Sequence, residues 1–273
     1  MKRNNEERTK TRRSQAASVD PSTVLNFVTP TEFVELPSKG IGYPEGHILR
    51  DKEMIEIRFM TTKDEDTLSS RSLLKKGLAL DRLIDNLLVE KEIKARDILV
   101  GDRNAIIIAA RSSAYGHIYE TKVQCPSCDH KQKMSFDLSN PEITDPEINE
   151  EIEEMENGNY MYVTSQSKIK VEMRLLNGHD ENVIFKALNN KNEEAALSTQ
   201  MTLFISSVNG HNHPNIVKHF VENVPAFEAR EIRKIFSNLT SAIQIKEIFE
   251  CESCSFEQEM EVPFNTDFFW PDR

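Results

Sequence analysis

The stretch Cys125-Pro-Ser-Cys128 is matched about 120 residues later by Cys251-Glu-Ser-Cys254, and the two motifs hold all four cysteines of the 273-residue chain. A CxxC turn brings two sulfur atoms together, and two such turns supply the four thiolates that Zn²⁺ binds in a tetrahedron. Strand-like runs flank each motif, so the pattern predicts two hairpins of the zinc-ribbon type. Four bound thiolates leave no open coordination position, which indicates a structural ion.

The separation of the two motifs is unusual, because ordinary zinc ribbons place their pairs only about 15–20 residues apart. An ion bound by both pairs closes a very long loop and fixes the end of one half of the chain to the end of the other. Redox-active dithiols and disulfides are less favoured, since neither motif opens a helix and the cytoplasm keeps thiols reduced. An iron–sulfur cluster uses the same ligands and stays open as an alternative.

The two halves share a second motif, in which a Glu-x-Arg strand precedes an Asp-Glu pair at identical spacing: Glu56-Ile-Arg58 with Asp64-Glu65, and Glu172-Met-Arg174 with Asp180-Glu181. In both halves the order of features is the same: strand, turn, acidic pair, helical residues and CxxC motif. We therefore predict an internal duplication. The expected fold is α+β, with two pseudo-repeated lobes joined by a zinc-ribbon-like centre of four cysteines.

Composition divides the chain into four predicted regions. Residues 1–20 are basic and polar without apolar periodicity, which predicts a disordered tail. Residues 21–140 form the predicted N-terminal lobe with the first CxxC hairpin. Residues 159–273 form the predicted C-terminal lobe with the second hairpin and an aromatic C-terminus, and the acidic residues 141–158 are the predicted connector.

Apolar periodicity predicts the regular elements. Alternation over residues 54–60 predicts a half-buried strand, and apolar residues at threes and fours predict one or two helices over residues 67–89, with a break near Gly77. Residues 100–114 fit a helix, with a buried strand as the alternative. Further helices are predicted over residues 183–205 and 227–239, and a loop over 209–214.

Charge and hydropathy argue against several classes of function. The net charge is −11, and the acidic segment repels nucleic-acid phosphates, so nucleic acid is not the expected partner. No stretch approaches the roughly 20 apolar residues that a membrane span needs. The N-terminus lacks an apolar signal core, so we expect no membrane anchor and folding in a reducing cytoplasm.

Catalytic motifs are not recognisable in this sequence. It contains no Gly-rich phosphate loop, nucleophile elbow or HExxH helix. A metallohydrolase site using His211 and His213 with His219 is an alternative, but polar loop histidines explain the pattern better. We therefore predict that the protein is not an enzyme and has no small-molecule substrate.

Two aromatic clusters are candidates for contact with a partner. Tyr115 and Tyr119 lie just before the first CxxC motif, beside Arg111, where a helix terminus is the alternative explanation. Phe268, Phe269 and Trp270 lie near the C-terminus. Because large aromatic side chains are costly to leave in water, these residues either cover the protein's own core or bind a partner.

Several motifs follow one another in a fixed order: Leu36-Pro-Ser-Lys-Gly40 with Tyr43, Thr61-Thr-Lys-Asp-Glu65, Arg111 to Tyr119 leading into the first CxxC, the second CxxC, and Phe268-Phe-Trp-Pro271. Together they resemble the baseplate hub subunit family of T4-like (T-even-type) bacteriophages. The resemblance spans residues 33–271 and rests on short motifs. The basic tail and the acidic connector are not part of it.

The resemblance implies a non-enzymatic structural protein of the virion, located in the baseplate of a contractile tail and assembled in the host cytoplasm. Its implied partners are other baseplate hub and tail-tube proteins. Two alternatives stay open: a hub assembly chaperone that is absent from the mature virion, and a zinc-ribbon regulator that binds nucleic acid.

Overall fold

Helices and small antiparallel sheets alternate along the chain, which confirms the expected α+β class. The computed structural model describes residues 29–148, 150–189, 196–262 and 268–269. The strands are β1 Thr31–Glu35, β2 Met54–Arg58, β3 Ile118–Gln124, β4 Lys131–Asp137, β5 Glu142–Thr144, β6 Ile152–Glu154, β7 Tyr160–Val163, β8 Lys170–Met173, β9 Ile205–Val208, β10 Ala242–Gln244, β11 Lys246–Glu250 and β12 Glu257–Glu261. The helices are α1 Thr62–Ser69, α2 Arg71–Lys76, α3 Ala79–Leu87, α4 Val100–Tyr115, α5 Gly178–Asn189, α6 Ala196–Phe204, α7 Pro214–Asn223 and α8 Ala226–Leu239.

All described strand pairs are antiparallel. Four pairs form two-stranded sheets, namely β1–β2, β3–β4, β5–β10 and β11–β12, and the strands β6-β7-β8-β9 form a four-stranded sheet in that order. The chain from Thr31 onward forms one unit. A single apolar core runs through both halves, so the predicted lobes share an interior rather than each having its own.

The acidic residues 141–158 do more than connect the halves. Their strand β5 pairs with β10 near the end of the chain, where Ile143 lies opposite Ile243. Their strand β6 forms one edge of the four-stranded sheet and buries Ile152. Isolated isoleucines among acidic residues thus tie this connecting segment to the fold.

The predicted helical region 67–89 contains three short helices. A break at Gly77 is confirmed: this glycine has a positive φ of 68°, and a Cβ there would lie 2.6 Å from the Phe185 ring. A second break occurs at Ser70, which has extended backbone between α1 and α2. The region 100–114 is the helix α4, whose isoleucines at 106, 107 and 108 are all buried. Burial on every side explains why periodicity alone left helix and strand unresolved there.

The repeated Glu-x-Arg motif has the same geometry in both halves. Arg58 donates two hydrogen bonds to the carboxylate of Asp64, at 2.7 and 3.0 Å, and Arg174 donates two to Asp180, both at 2.7 Å. Each carboxylate also accepts a hydrogen bond from the backbone N–H three residues before it, where the helix begins. The shared geometry supports the predicted internal duplication.

Asp64 provides a test of this motif through its pH dependence. Its side chain is fully buried. Burial raises the pKa of this carboxyl, but the bonds from Arg58 and Thr61 outweigh it and hold the pKa below its ordinary value. A depressed carboxyl pKa contributes stability above the unfolded-state pKa of about 3.9, and that contribution is lost as the pH falls through the folded-state pKa.

We expect Asp64→Asn to lower the free energy of unfolding by about 2 kcal/mol at neutral pH, because the Arg58 guanidinium loses its charged partner. The difference from wild type should shrink as the pH falls below about 4, because the contribution of the ionised Asp64 is lost as the pH drops through its depressed folded-state pKa. Urea unfolding at several pH values measures it. The exposed Asp66→Asn on the same helix is the control, and a pH-independent difference between Asp64→Asn and wild type contradicts the assignment.

Candidate metal centre

Two β-hairpins carry the CxxC motifs at their tips. Strands β3 and β4 present Cys125 and Cys128, with Gln124 opposite Lys131 as the last pair before the turn. Strands β11 and β12 present Cys251 and Cys254 in the same way. The first hairpin lies near the middle of the chain and the second near the end of the described residues.

The two turns have the same backbone geometry. In the first, the Cys125 N–H donates to the His130 carbonyl at 2.8 Å, and the Asp129 N–H donates to the Cys125 carbonyl at 2.9 Å. In the second, the Cys251 N–H donates to the Phe256 carbonyl and the Ser255 N–H to the Cys251 carbonyl, both at 2.9 Å. The residue after the second cysteine has a positive φ in both turns, 58° and 55°. Both motifs therefore form the same cysteine turn.

The four sulfur atoms converge on one point. The Sγ atoms of Cys125 and Cys254 are 3.7 Å apart, those of Cys128 and Cys251 are 3.6 Å apart, and all four lie within 4.8 Å of one another. A tetrahedron with metal–sulfur bonds of about 2.3 Å has sulfur atoms about 3.8 Å apart. All four thiols are free, and no pair is near the disulfide length of about 2.05 Å. The arrangement suits one tetrahedral ion.

The site lies half inside the protein. Cys125 and Cys251 are buried and pack with Phe249 in a small apolar cluster, while Cys128 and Cys254 are exposed. Gln132 links the hairpins, because its amide donates to the Glu250 carbonyl at 2.8 Å and accepts from the Glu252 N–H at 2.9 Å. Sequence reasoning missed Gln132. The sequence did contain a signal for it, because strand alternation places Gln132 on the same inward face of β4 as Met134 and Phe136.

The surroundings shift the pKa values of two of the thiols in opposite directions. Burial raises the pKa of Cys251, but backbone N–H groups of Cys254 and Ser253 outweigh it and lower the pKa to about 6. At Cys128 a backbone hydrogen bond lowers the pKa, but contact with the other thiols overrides it and raises the value to about 12. The lowered pKa favours the thiolate form of Cys251, which is the form that binds metal.

Of the candidate contact residues that the structure describes, three are buried and Tyr115 is partly exposed. Tyr119, Phe268 and Phe269 are buried, so they cover the protein's own core rather than forming a free surface. The Arg111 guanidinium lies 5.3–5.8 Å from the ring centres of Tyr115, Tyr119 and Phe268 and donates to the Phe268 carbonyl at 3.1 Å.

Cation–π contacts and this hydrogen bond hold Phe268 and Phe269 against α4 and β3. Tyr115 is partly exposed and donates to the Glu65 carboxylate at 2.7 Å. Trp270 lies outside the described residues. At its two described positions, the aromatic C-terminus covers the protein's own core, which is one of the two alternatives that the sequence left open.

The histidine alternative is not supported by the geometry. His211 and His213 are exposed, and the Nδ1 atom of His213 accepts from the Asn215 N–H, which caps α7. Within the described parts of the chain, the four cysteines are the one group of three or more His, Cys, Asp or Glu residues placed to share an ion.

Known protein families include one that matches most of the chain. The sequence fits the family model described as T4 bacteriophage base plate protein over residues 31–270. The chain belongs to this family. Searches of curated proteins and of solved structures return no significant match.

Family membership places the protein among phage baseplate proteins of the virion tail and implies a structural rather than a catalytic role. It also implies interaction with other structural proteins of the phage. Among the described helices, none has both the length and the apolar character needed to cross a bilayer.

Within the matched range, the LPSKG turn has a structural explanation. Ser38 donates from its backbone N–H and its hydroxyl to the Asp102 carboxylate, at 2.9 and 2.7 Å, and the Tyr43 hydroxyl donates to the same carboxylate at 2.7 Å. Tyr43 in turn accepts from the Leu99 N–H at 3.0 Å. Burial raises the pKa of Asp102, against the effect of the Ser38 bonds. The turn is thus fixed to the first turn of α4.

A second buried polar cluster connects the two halves. Arg103 on α4 donates to Asp81 on α3 and to Glu181 on α5, both at 2.8 Å. Asn182 on α5 donates to the other Asp81 oxygen at 2.8 Å. Sequence reasoning missed this cluster, because its members lie up to 101 residues apart and share no motif.

Proposed function

We propose that the protein is a structural component of the baseplate hub of a contractile phage tail. It acts through contacts with other hub and tail-tube proteins during tail assembly in the host cytoplasm. The family match over residues 31–270 is the observation that carries this proposal. The cysteine centre supports it, because four thiolates around one ion leave no position for substrate or water.

We also propose that the ion is zinc. Zinc is borderline soft, has no geometric preference of its own, and binds four thiolates in structural sites. In an iron–sulfur cluster the thiolates bind different iron atoms and spread farther apart. Two sulfur–sulfur distances of 3.6 and 3.7 Å, with all four sulfur atoms within 4.8 Å of one another, favour a single ion.

The proposed role of the zinc is to fix the two halves of the duplicated chain to each other. The hairpin β3–β4 precedes the whole second half, and β11–β12 nearly ends it. An ion bound by both tips closes the chain between them, which reduces the freedom of the unfolded state and fixes the hairpins in the folded one. A baseplate protein that acts by shape needs such fixed geometry.

Quantitative mass spectrometry of purified phage particles tests the proposed place of the protein. We expect a few copies of the chain per tail, in fixed ratio to known baseplate subunits. Its absence from intact particles, together with abundance in infected cells, contradicts a structural role and supports the assembly chaperone instead.

A further inference from the structure

The two cysteine hairpins pack against each other through one face each. In a β-strand successive side chains point to opposite faces. Val123 and Met134 of the first hairpin and Phe249 and Met260 of the second point inward and surround Cys125 and Cys251. The remaining face of each hairpin therefore points outward, and the two outer faces are directed away from each other.

The outer face of the first hairpin is basic toward its tip. Lys122, Lys131 and Lys133 are exposed there, and Lys122 lies directly opposite Lys133 on the neighbouring strand. None of the three forms an ion pair with a described residue. Glu120 and Asp137, which share this face, lie closer to its base.

The outer face of the second hairpin is acidic next to its turn. Glu250 and Glu257 are exposed and lie directly opposite each other next to the turn. Farther along, Lys246 lies 3.6 Å from Glu259 and 3.9 Å from Glu261, which leaves Glu250 and Glu257 without an ion pair among the described residues.

Like charges placed directly across a strand pair destabilise it. Both hairpins carry such a pair on the outer face, with opposite sign: Glu250 and Glu257 form the last pair before their turn, and Lys122 and Lys133 lie two pairs farther from theirs. Neither pair forms an ion pair with a described residue. Each outer face also exposes one isoleucine, Ile118 at 56% and Ile248 at 70%. The two faces therefore have opposite charge, and each also offers one apolar side chain for contact with the other.

We propose that the basic outer face of β3–β4 binds the acidic outer face of β11–β12 on a second copy of this chain. Because the two faces point in opposite directions, the contact is heterologous, and each added copy offers one free face of each sign. Such a contact forms a ring or a short stack rather than a closed two-fold dimer. Self-association by this route depends only on the hairpins and not on a place in the phage particle.

Sedimentation equilibrium of the full, metal-containing chain measures the association. At about 50 mM salt the wild type should form dimers and larger species. At about 500 mM salt the association constant should fall roughly tenfold or more, because the charges are screened within a few ångströms. Wild-type protein that stays monomeric at low salt overturns the proposal. In that case the acidic face is left available for a different, basic partner.

Charge reversal tests the pairing of the two faces. The variants Lys122→Glu/Lys133→Glu and Glu250→Lys/Glu257→Lys should each associate at least about tenfold more weakly than wild type. The first variant then has two acidic faces and the second has two basic faces. An equimolar mixture should therefore restore association, a result that unfolding of either variant does not produce.

Lys75→Glu/Lys76→Glu on α2 is the matched control for the lysine reversal, since it makes the same change in net charge at two exposed lysines. It should associate like wild type. Equal weakening by this control, or a mixture that stays monomeric, overturns the proposal. If a reversal variant does not fold, Lys133→Gln and Glu257→Gln replace it, and each must weaken association at low salt.

Discussion

Replacing Cys251 by serine should abolish stoichiometric zinc binding and lower the free energy of unfolding by about 4–5 kcal/mol. Three thiolates and a serine hydroxyl do not hold zinc as four thiolates do. The zinc-bound chain closes a loop of about 120 residues between the motifs. The loop-closure entropy of a cross-link over such a loop is worth about 4–5 kcal/mol, which lowers the melting temperature by roughly 10–20 °C.

Cys254→Ser separates the effect of the metal from that of packing. Cys251 is buried and Cys254 is exposed, but both bind the same ion in this account. If the loss comes from the metal, the two variants lose similar stability, and a strong chelator brings wild type to the same level. Metal content and thermal unfolding measure both. A large loss in Cys251→Ser beside a stable, metal-loaded Cys254→Ser contradicts the proposed zinc site.

Arg103→Met should lower the free energy of unfolding by about 3–5 kcal/mol, because the buried Asp81 carboxylate loses its buried charged partner. Among its described partners, that carboxylate keeps only Asn182 and the more distant, exposed Arg96. The Arg103 and Asp81 side chains are 3% and 5% exposed. Methionine keeps much of the side-chain volume, so the loss reflects the missing charge and hydrogen bonds. The contact between α4 and α5 through Glu181 is lost as well.

Arg96 supplies a matched control, since its guanidinium approaches the same Asp81 carboxylate at 3.6 Å but is 57% exposed. Arg96→Met should cost no more than about 0.5–1 kcal/mol, as exposed ion pairs contribute little. Denaturant unfolding compares the two variants. Equal losses contradict the account, and so does an Arg103→Met variant as stable as wild type.

The cysteine centre could be predicted from the sequence because metal ligands obey strict local spacing. Each CxxC motif fixes its own turn, and four cysteines in two pairs leave one arrangement that uses them all. The repeated Arg and Asp positions were likewise visible, since a strand followed by a capped helix is determined within about ten residues. The pairing of the two hairpins was inferred only from zinc chemistry.

The features that could not be predicted from the sequence depend on contacts between residues far apart in the chain. Burial of Phe268 and Phe269 rests on Arg111, which lies more than 150 residues away, so aromatic composition alone did not separate core from contact surface. The pairing of β5 with β10 depends on two isoleucines in otherwise polar surroundings. The three short helices of residues 62–87 depend on extended backbone at Ser70, and no residue there requires a break.

X-ray absorption spectroscopy at the zinc edge of the purified full-length chain tests the central claim most directly. The account predicts one zinc per chain with a single shell of four sulfur atoms at about 2.3 Å. A first shell that contains nitrogen or oxygen, a different metal in stoichiometric amount, or protein without metal contradicts a zinc ion held by Cys125, Cys128, Cys251 and Cys254.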